Sequence, residues 1–224
     1  MQLSFSTSPA QPMDAPMPSA APDTRCPPRR VILFSGHMVD APGRAQPRFP
    51  PELAAVAGRR IAAALAELDA GPGDLGLTQG AAGGDILFAE AAQARAMPLR
   101  LLQPFGEAEF IERSVRPVCE GEDWVARYRR VAGRLASPPQ AMPPGSGAGT
   151  PGCDEDDNPF ERCNRWLLDT ALACGGERVW LLCLWDGQDG DGAGGTAHMV
   201  REVQRRNGHV IHIDTRQLWQ ESAS

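Results

Sequence analysis

Three Gly-rich stretches, each directly after a short apolar run, have residue types suited to binding a phosphate. They are Ser35-Gly36-His37, the run Gly80-Ala-Ala-Gly83-Gly84-Asp85, and a loop that begins at Asp186 and ends in Gly194-Gly195-Thr196. Glycines after a strand let the backbone approach an anion, and the amides that begin the next helix donate hydrogen bonds and carry partial positive charge. The pattern predicts a nucleotide or sugar-phosphate site at the carboxyl ends of parallel strands.

The third loop offers carboxylates as well as glycines. Asp186 follows the apolar run 179–185 directly, and Asp189 and Asp191 lie further along the loop. Their carboxylates could accept hydrogen bonds from ribose hydroxyls or hold a hydrated Mg²⁺ beside phosphates. A solvated Asp/Gly turn has the same composition, and Thr196 could equally be an ordinary helix cap.

Other side chains next to these loops also have two interpretations. Asp85 could contact a ligand hydroxyl or only complement a helix dipole. His37 could stack on a base or donate to a phosphate, although a single histidine is often structural. The planar guanidinium of Arg165, on the helix before the central strand, suits a phosphate. The candidate ligand-binding residues are Ser35, Gly36, His37, Gly80, Gly83, Gly84, Asp85, Arg165, Asp186, Gly194, Gly195 and Thr196.

Alternating short apolar runs and amphipathic stretches must position these loops. We predict strands at 31–34, 75–78, 99–103, 178–184 and 210–213, and helices at 51–69, 84–96, 107–116, 122–135, 158–174 and 196–206. Asn158 followed by Pro159 and Glu161 is a strong helix start. Trp185 is predicted to line the pocket, and core or helix–sheet packing is predicted for Trp124, Trp166, Trp180 and Trp219. Strand–helix–strand order predicts an α/β fold, a Rossmann-like three-layer sandwich with a parallel sheet of about five strands.

The composition predicts one folded domain with irregular flanks. We expect a disordered tail at 1–30, a nucleotide-binding domain at 31–214 with a flexible Pro/Gly-rich insertion at 136–157, and a C-terminal tail at 215–224. A net charge of −6 disfavours non-specific nucleic-acid or membrane-surface binding. Six cysteines without a Cys-x-x-Cys pair favour reduced thiols in a cytoplasmic protein and give no structural zinc site.

The order of Ser35-Gly36-His37, residues 80–85, Asn158 to Trp166, and Asp186-Gly with Gly194-Gly195-Thr196 resembles the SLOG superfamily. That group joins the Rossmann-like DNA-processing protein A and lonely-guy families. The resemblance spans residues 31–213 and implies a Rossmann-like nucleotide-binding fold. Some members of the group hydrolyse nucleotides, and others are thought to sense nucleotide signals.

The chain departs from the motif of that group's catalytic members at three positions, where Asp191 replaces the proline, Ala193 the second glycine and Met199 the glutamate. Lonely-guy hydrolases carry a Pro-Gly-Gly-x-Gly-Thr-x-x-Glu motif, and aligning its threonine on Thr196 places Met199 at the glutamate. Nucleoside deoxyribosyltransferases are similar in this loop, and their nucleophilic glutamate also falls on Met199. Cleavage of an N-glycosidic bond needs a carboxylate beside the developing oxocarbenium ion. Asp186 and Glu202, with Asp85 as a further option, are the candidates for a replacement.

Three functions remain open at this point. The first is a cytoplasmic binding module for a nucleotide or nucleotide derivative, acting as a ligand sensor in signalling or defence. The second is a nucleotide N-glycosidase or phosphoribohydrolase, and the third is an interaction module with a vestigial pocket and a partner on the Arg127–Arg134 helix. The expected binding partner is a nucleotide-like small molecule. No membrane association is expected, and a homodimer remains possible. No cofactor is assigned beyond Mg²⁺ carried by a phosphate ligand.

Overall fold

The computed structural model describes residues 27–144, 158–188 and 196–222. Its strands are β1 (Val31–Gly36), β2 (Leu75–Thr78), β3 (Leu99–Gln103), β4 (Gln140–Ala141), β5 (Val179–Trp185) and β6 (His209–Asp214). Its helices are α1 (Ala54–Glu67), α2 (Gly84–Ala94), α3 (Glu107–Ser114), α4 (Gly121–Ala132), α5 (Pro159–Leu172), α6 (Thr196–Arg205) and α7 (Thr215–Ser222). Two short 3-10 turns, Pro51–Leu53 and Gly176–Arg178, precede α1 and β5.

All six strands pair in parallel in one sheet with the order β4-β3-β2-β1-β5-β6. A parallel sheet needs helices on both faces, and its central strands therefore read as continuous apolar runs. Side chains alternate between the two faces of a strand. In β1, Ile32 and Phe34 pack towards α1 and α2, whereas Val31 and Leu33 pack towards α5 and α6. The predicted α/β, Rossmann-like three-layer architecture is confirmed.

The start of α5 is also as predicted. The Asn158 side chain accepts a hydrogen bond from the backbone N–H of Phe160 at 3.0 Å, and Pro159 occupies the first turn. An N-cap satisfies one of the amides that a helix start leaves without an intrahelical partner. This cap places the beginning of α5 above the carboxyl ends of the central strands.

The sheet has six strands rather than about five. The additional strand, β4, lies inside the stretch predicted to be a flexible insertion. It pairs with β3, and the Met142 backbone N–H donates to the Gln103 carbonyl at 2.7 Å. A two-residue edge strand has no alternation of apolar and polar residues, so periodicity could not reveal it.

Both predicted tails contain ordered residues. Residues 215–222 form α7, whose Leu218 is buried against the layer that contains α1, because one apolar position per turn is enough to dock a short helix. Trp219 on the same helix is 46% exposed, so the prediction that it packs in the core is wrong. At the other end, Arg29 and Arg30 both donate to the buried Asp74 carboxylate.

In the part of the chain that the structure describes, no helix combines the length and the apolar character that crossing a bilayer requires.

Candidate functional site

A cavity of about 430 Å³ lies at the carboxyl ends of the strands, beside the predicted loops. The chain leaves β1 towards β2, β3 and β4, whereas β5 on the other side of β1 leads to β6. The boundary between β1 and β5 is therefore the switch point of the sheet, where open α/β folds bind ligands. Ser35, Gly36 and His37 at the end of β1 and Trp185 at the end of β5 line the cavity.

One side of the cavity, here called the polar wall, is formed by Ser35, Gln79, Asn164 and Thr196. The hydroxyls of Ser35 and Thr196 are 3.1 Å apart, and Gln79 donates from Nε2 to Oδ1 of Asn164 at 2.7 Å. Thr196 is the first residue of α6, and the cap of α5 also lines the cavity. The partial positive charges at two helix starts therefore face the same space.

The opposite side, here called the apolar wall, is formed by Val39, Ala81, Pro117 and Val118 together with Ser114. The charged side chains of Asp40, Arg44 and Asp85 also line the cavity. Val39 and Val118 belong to the core on the α1 and α2 face of the sheet, whereas α6 packs on the other face. The cavity therefore spans the upper edge of the sheet, with chemically different walls on its two sides.

Asp186 is held by an ion pair behind the cavity. Arg48 donates from Nε to Oδ2 at 2.9 Å and from a terminal nitrogen to Oδ1 at 3.2 Å, and the Gln188 backbone N–H donates to Oδ1 at 3.0 Å. Burial opposes ionisation, but these contacts outweigh it and hold the pKa of Asp186 below its usual value. Asp186 is not among the described residues that line the cavity, whereas Arg48 is. Its carboxylate therefore positions an arginine at the site.

His37 lines the cavity as a neutral ring. Its Nε2 accepts the backbone N–H of Asp186 at 3.2 Å, which leaves Nδ1 as the protonated nitrogen. Burial is the main reason why the pKa of His37 is lowered, and the positive charge of Arg48 lowers it further. The Asp186 carboxylate opposes this shift only in part. His37 is therefore uncharged at neutral pH.

Asp85 lines the cavity, but its carboxylate is hydrogen-bonded within its own loop. Its Oδ2 accepts the backbone N–H groups of Gly80 at 3.1 Å and Ala81 at 3.2 Å. Burial raises the pKa of Asp85 to about 6, although the backbone donors, Ala81 first, act in the opposite direction. The carboxylate stabilises the turn that precedes α2.

This shift predicts a pH dependence of stability. Because the folded state keeps the Asp85 proton up to about pH 6 and the unfolded chain releases it near pH 4, the free energy of unfolding should fall as pH rises through this window. The variant Asp85→Asn, which keeps an acceptor oxygen, should lose this component in urea unfolding measured across the window. The exposed Asp123→Asn is the control and should behave like the wild type. Equal slopes for Asp85→Asn and wild type would contradict the assignment.

The glycines of the second loop make backbone contacts. Gly83 has φ of +114°, and a Cβ there would lie 2.7 Å from the Val39 nitrogen and 2.8 Å from the His37 carbonyl oxygen. The Gly84 backbone N–H donates to the same His37 carbonyl at 3.1 Å. Gly80, with φ of +91°, turns against the side chains of Leu101 and Tyr128. Gly83 and Gly84 let the first and second loops pack on each other. None of the three glycines is among the described residues that line the cavity.

The candidates on α5 and α6 lie partly outside the site. Arg165 pairs with Glu161 at 3.4 Å, and its neighbour Asn164 lines the cavity instead. Glu202 pairs with Arg205 and is not among the described lining residues. Met199, at the position of the hydrolase glutamate, is fully buried in the core between α6 and the sheet. Neither α6 residue brings a carboxylate to the cavity.

Several lining residues were missed by sequence reasoning. Gln79 follows β2 as Ser35 ends β1, so the strand-end rule could have found it. Arg44 and Arg48 lie in the loop after β1, where basic residues at a strand's carboxyl end are a usable signal. Ser114 ends α3, and nothing in the local sequence marks it.

The last predicted loop is only partly described. Asp189, Asp191, Gly194 and Gly195 lie outside the described residues, so their predicted roles stay predictions. Within the ranges 27–144, 158–188 and 196–222, no three His, Cys, Asp or Glu side chains are grouped as a metal site requires.

Comparisons with known proteins find no matching protein-family model and no matching curated protein.

Proposed function

We propose that this protein binds a nucleotide or nucleotide derivative in the switch-point cavity, with the phosphate against the polar wall. The observation that carries the proposal is that α5 and α6 both begin at this cavity, beside the paired hydroxyls of Ser35 and Thr196. Helix starts with hydroxyl donors are suited to phosphate oxygens. The resemblance to the SLOG superfamily points to the same ligand class.

The size and local charge of the cavity support this ligand. Its volume of about 430 Å³ lies in the range of small-molecule sites. Arg44 and Arg48 line it, and the carboxylates at or beside it are engaged. Backbone N–H groups of Arg48 and Phe49 donate to Asp40, backbone amides donate to Asp85, and Arg48 pairs with Asp186. Although the whole chain carries a net charge of −6, the surroundings of the cavity favour an anion.

Binding without base release is the activity that we infer. Met199 is buried in the core, Glu202 pairs with Arg205, and Asp186 pairs with Arg48. A glycosidase needs a carboxylate that can approach the anomeric carbon. We therefore propose a ligand sensor rather than a hydrolase.

One observation favours the hydrolase as a second candidate. Asp85 lines the cavity, and its pKa of about 6 would suit a general acid. Incubating the protein with NAD, ADP-ribose, nucleoside monophosphates and cyclic nucleotides, and measuring retained ligand and free base by mass spectrometry, separates the two candidates. Base release that disappears in Asp85→Asn would establish the hydrolase. If the protein neither retains a nucleotide nor releases a base, the interaction module is the function that remains.

The polar wall gives a direct binding prediction. Gln79→Glu is isosteric and adds a negative charge at the proposed phosphate position, so affinity for a retained mononucleotide should fall at least about tenfold, or roughly 1.4 kcal/mol. The corresponding uncharged nucleoside should lose much less. Gln204→Glu, on the exposed side of α6, makes the same change in net charge and is the matched control. Equal losses in both variants, measured by calorimetry, would rule out a local phosphate site.

A further inference from the structure

The apolar wall contains one polar group that nothing else in the fold uses. Ser114 is 1% exposed, and its Oγ has no hydrogen-bond partner among the residues that the structure describes. The same residue lines the cavity. A buried hydroxyl without a partner costs free energy, and native structures usually supply one. A bound ligand could provide the partner that the protein does not.

The backbone fixes the position of this hydroxyl. Ser114 is the last residue of α3, and its carbonyl accepts the Ala82 backbone N–H at 2.9 Å. This bond ties the end of α3 to the Gly-rich loop after β2. Because its Oγ is almost completely shielded, the serine must rotate about its Cα–Cβ bond, the only freedom that remains, to meet a ligand in the cavity. The hydroxyl can then both donate and accept.

The surroundings of Ser114 differ from those of the phosphate position. Its neighbours Val39, Pro117 and Val118 offer no side-chain donor or acceptor. Asp40, which follows Val39, also lines the cavity, and its carboxylate already accepts the backbone N–H groups of Arg48 and Phe49. A heterocyclic base has apolar faces and a polar edge, so it matches an apolar surface that carries a single hydroxyl. Phosphate and sugar are polar throughout and match the opposite wall.

We propose that the apolar wall is a subsite for the base of the bound nucleotide, and that the Ser114 hydroxyl hydrogen-bonds to the edge of that base. This inference rests on the proposed nucleotide-binding function and deepens it. The ligand would then cross the upper edge of the sheet, with its phosphate at Thr196 and its base at Ser114. Specificity for the base would come from α3 and the segment after it.

The test compares ligands with and without a base. Affinities for AMP, GMP, CMP and UMP, and for ribose 5-phosphate, are measured by calorimetry on the full chain and on Ser114→Ala. We expect at least a fivefold loss for the best-bound mononucleotide and less than a twofold change for ribose 5-phosphate. Thr215→Val is the matched control, because Thr215 also carries a buried hydroxyl without a described partner but does not line the cavity. Its ligand affinities should not change.

The thermal unfolding of Ser114→Ala is measured alongside ligand binding. Because the hydroxyl has no partner to lose in the part of the chain that the structure describes, Ser114→Ala should unfold at the wild-type temperature or above it. A lower unfolding temperature would mean that the hydroxyl serves the fold, and it would overturn the inference.

The other outcomes separate the two proposals. If Ser114→Ala binds the mononucleotide as tightly as wild type while Gln79→Glu weakens it, the base subsite is wrong and the nucleotide site stands. If Ser114→Ala weakens ribose 5-phosphate equally, Ser114 contacts the sugar or phosphate, and the base assignment is wrong. If the wild-type chain binds none of NAD, ADP-ribose, the nucleoside monophosphates and the cyclic nucleotides, the proposed function fails and this inference fails with it.

Discussion

Replacing Gly83 with alanine should lower the free energy of unfolding by about 3 to 5 kcal/mol. Two costs combine at this position. The backbone φ of +114° is strained for any residue with a Cβ, and that Cβ would lie 2.7 Å from the Val39 nitrogen and 2.8 Å from the His37 carbonyl oxygen. These neighbours are backbone atoms, so no side-chain rotation can relieve the overlap. Urea unfolding followed by fluorescence measures the loss.

Two other glycines of the chain separate the contributions. Gly43 has φ of +76° but nothing within 4 Å of an added Cβ, so Gly43→Ala should show only the backbone strain, about 1 kcal/mol. Gly73 has neither the positive φ nor a close neighbour, and Gly73→Ala should change stability by less than about 0.5 kcal/mol. If Gly83→Ala cost no more than Gly43→Ala, the contact between the first and second loops would not be a tight one.

The consequence of Gly83→Ala for ligand binding follows from the same contact. The first loop carries His37 and Val39, both of which line the cavity. A Cβ at residue 83 would push this loop away and widen the site. We therefore expect weaker ligand binding as a secondary effect, although Gly83 itself is not among the described lining residues.

Removing the Arg48 side chain should have the second-largest effect, a loss of about 3 kcal/mol in the free energy of unfolding. The Asp186 carboxylate is only 12% exposed and would lose both hydrogen bonds from the guanidinium. The Gln188 backbone N–H remains as a donor, and the neutral His37 ring, whose Nε2 lies 3.3 Å from Oδ1, adds no positive charge to balance the carboxylate. Chemical unfolding of Arg48→Ala, Asp186→Asn and the double variant measures the coupling.

The double variant should be clearly less destabilised than the sum of the single variants, because an amide at residue 186 needs no cation. Arg44→Ala is the control within the same loop. Arg44 is 37% exposed and lies 3.5 Å from Asp40, so it should cost less than about 1 kcal/mol. Additive effects of Arg48→Ala and Asp186→Asn would refute the coupling.

The same pair predicts a sensitivity to acid. The pKa of Asp186 is lowered in the folded state, so its contribution to stability is present above about pH 4 and is lost as pH falls towards the folded-state value. Arg48→Ala should weaken this acid dependence. The window lies below that of Asp85, whose raised pKa acts between about pH 4 and pH 6 in the opposite direction.

The architecture could be read from local patterns. The apolar runs of β1 and β5 are buried on both faces, and only a parallel sheet between two helix layers gives a strand that environment. The cap at Asn158 and the glycines after the strands are decided by neighbours within one helical turn, so a short window contains the whole signal. The sequence patterns did not predict the short edge strand β4 or the docked helix α7. Two residues, or two helical turns, are too short to show a periodicity.

The location of the cavity also followed from the order of strands and helices along the chain, because parallel strands end at the same edge of the sheet. The roles of the individual residues around the cavity did not follow from that order. Asp186 was predicted to meet a ligand and instead holds Arg48, which precedes it by 138 residues. Gly83 was predicted to approach a phosphate, and its Cβ position meets the backbone of the loop after β1.

Short-range patterns therefore establish the elements of this protein and the edge of the sheet at which they leave a cavity. Strand order and register decide which side chains meet there, because they bring the loops after β1, β2 and β5 together from distant parts of the chain. A carboxylate forms an ion pair with the cation that packing places beside it, as Asp186 does with Arg48. Ser114 has no such partner, and only the tertiary structure reveals that its hydroxyl is buried at the cavity.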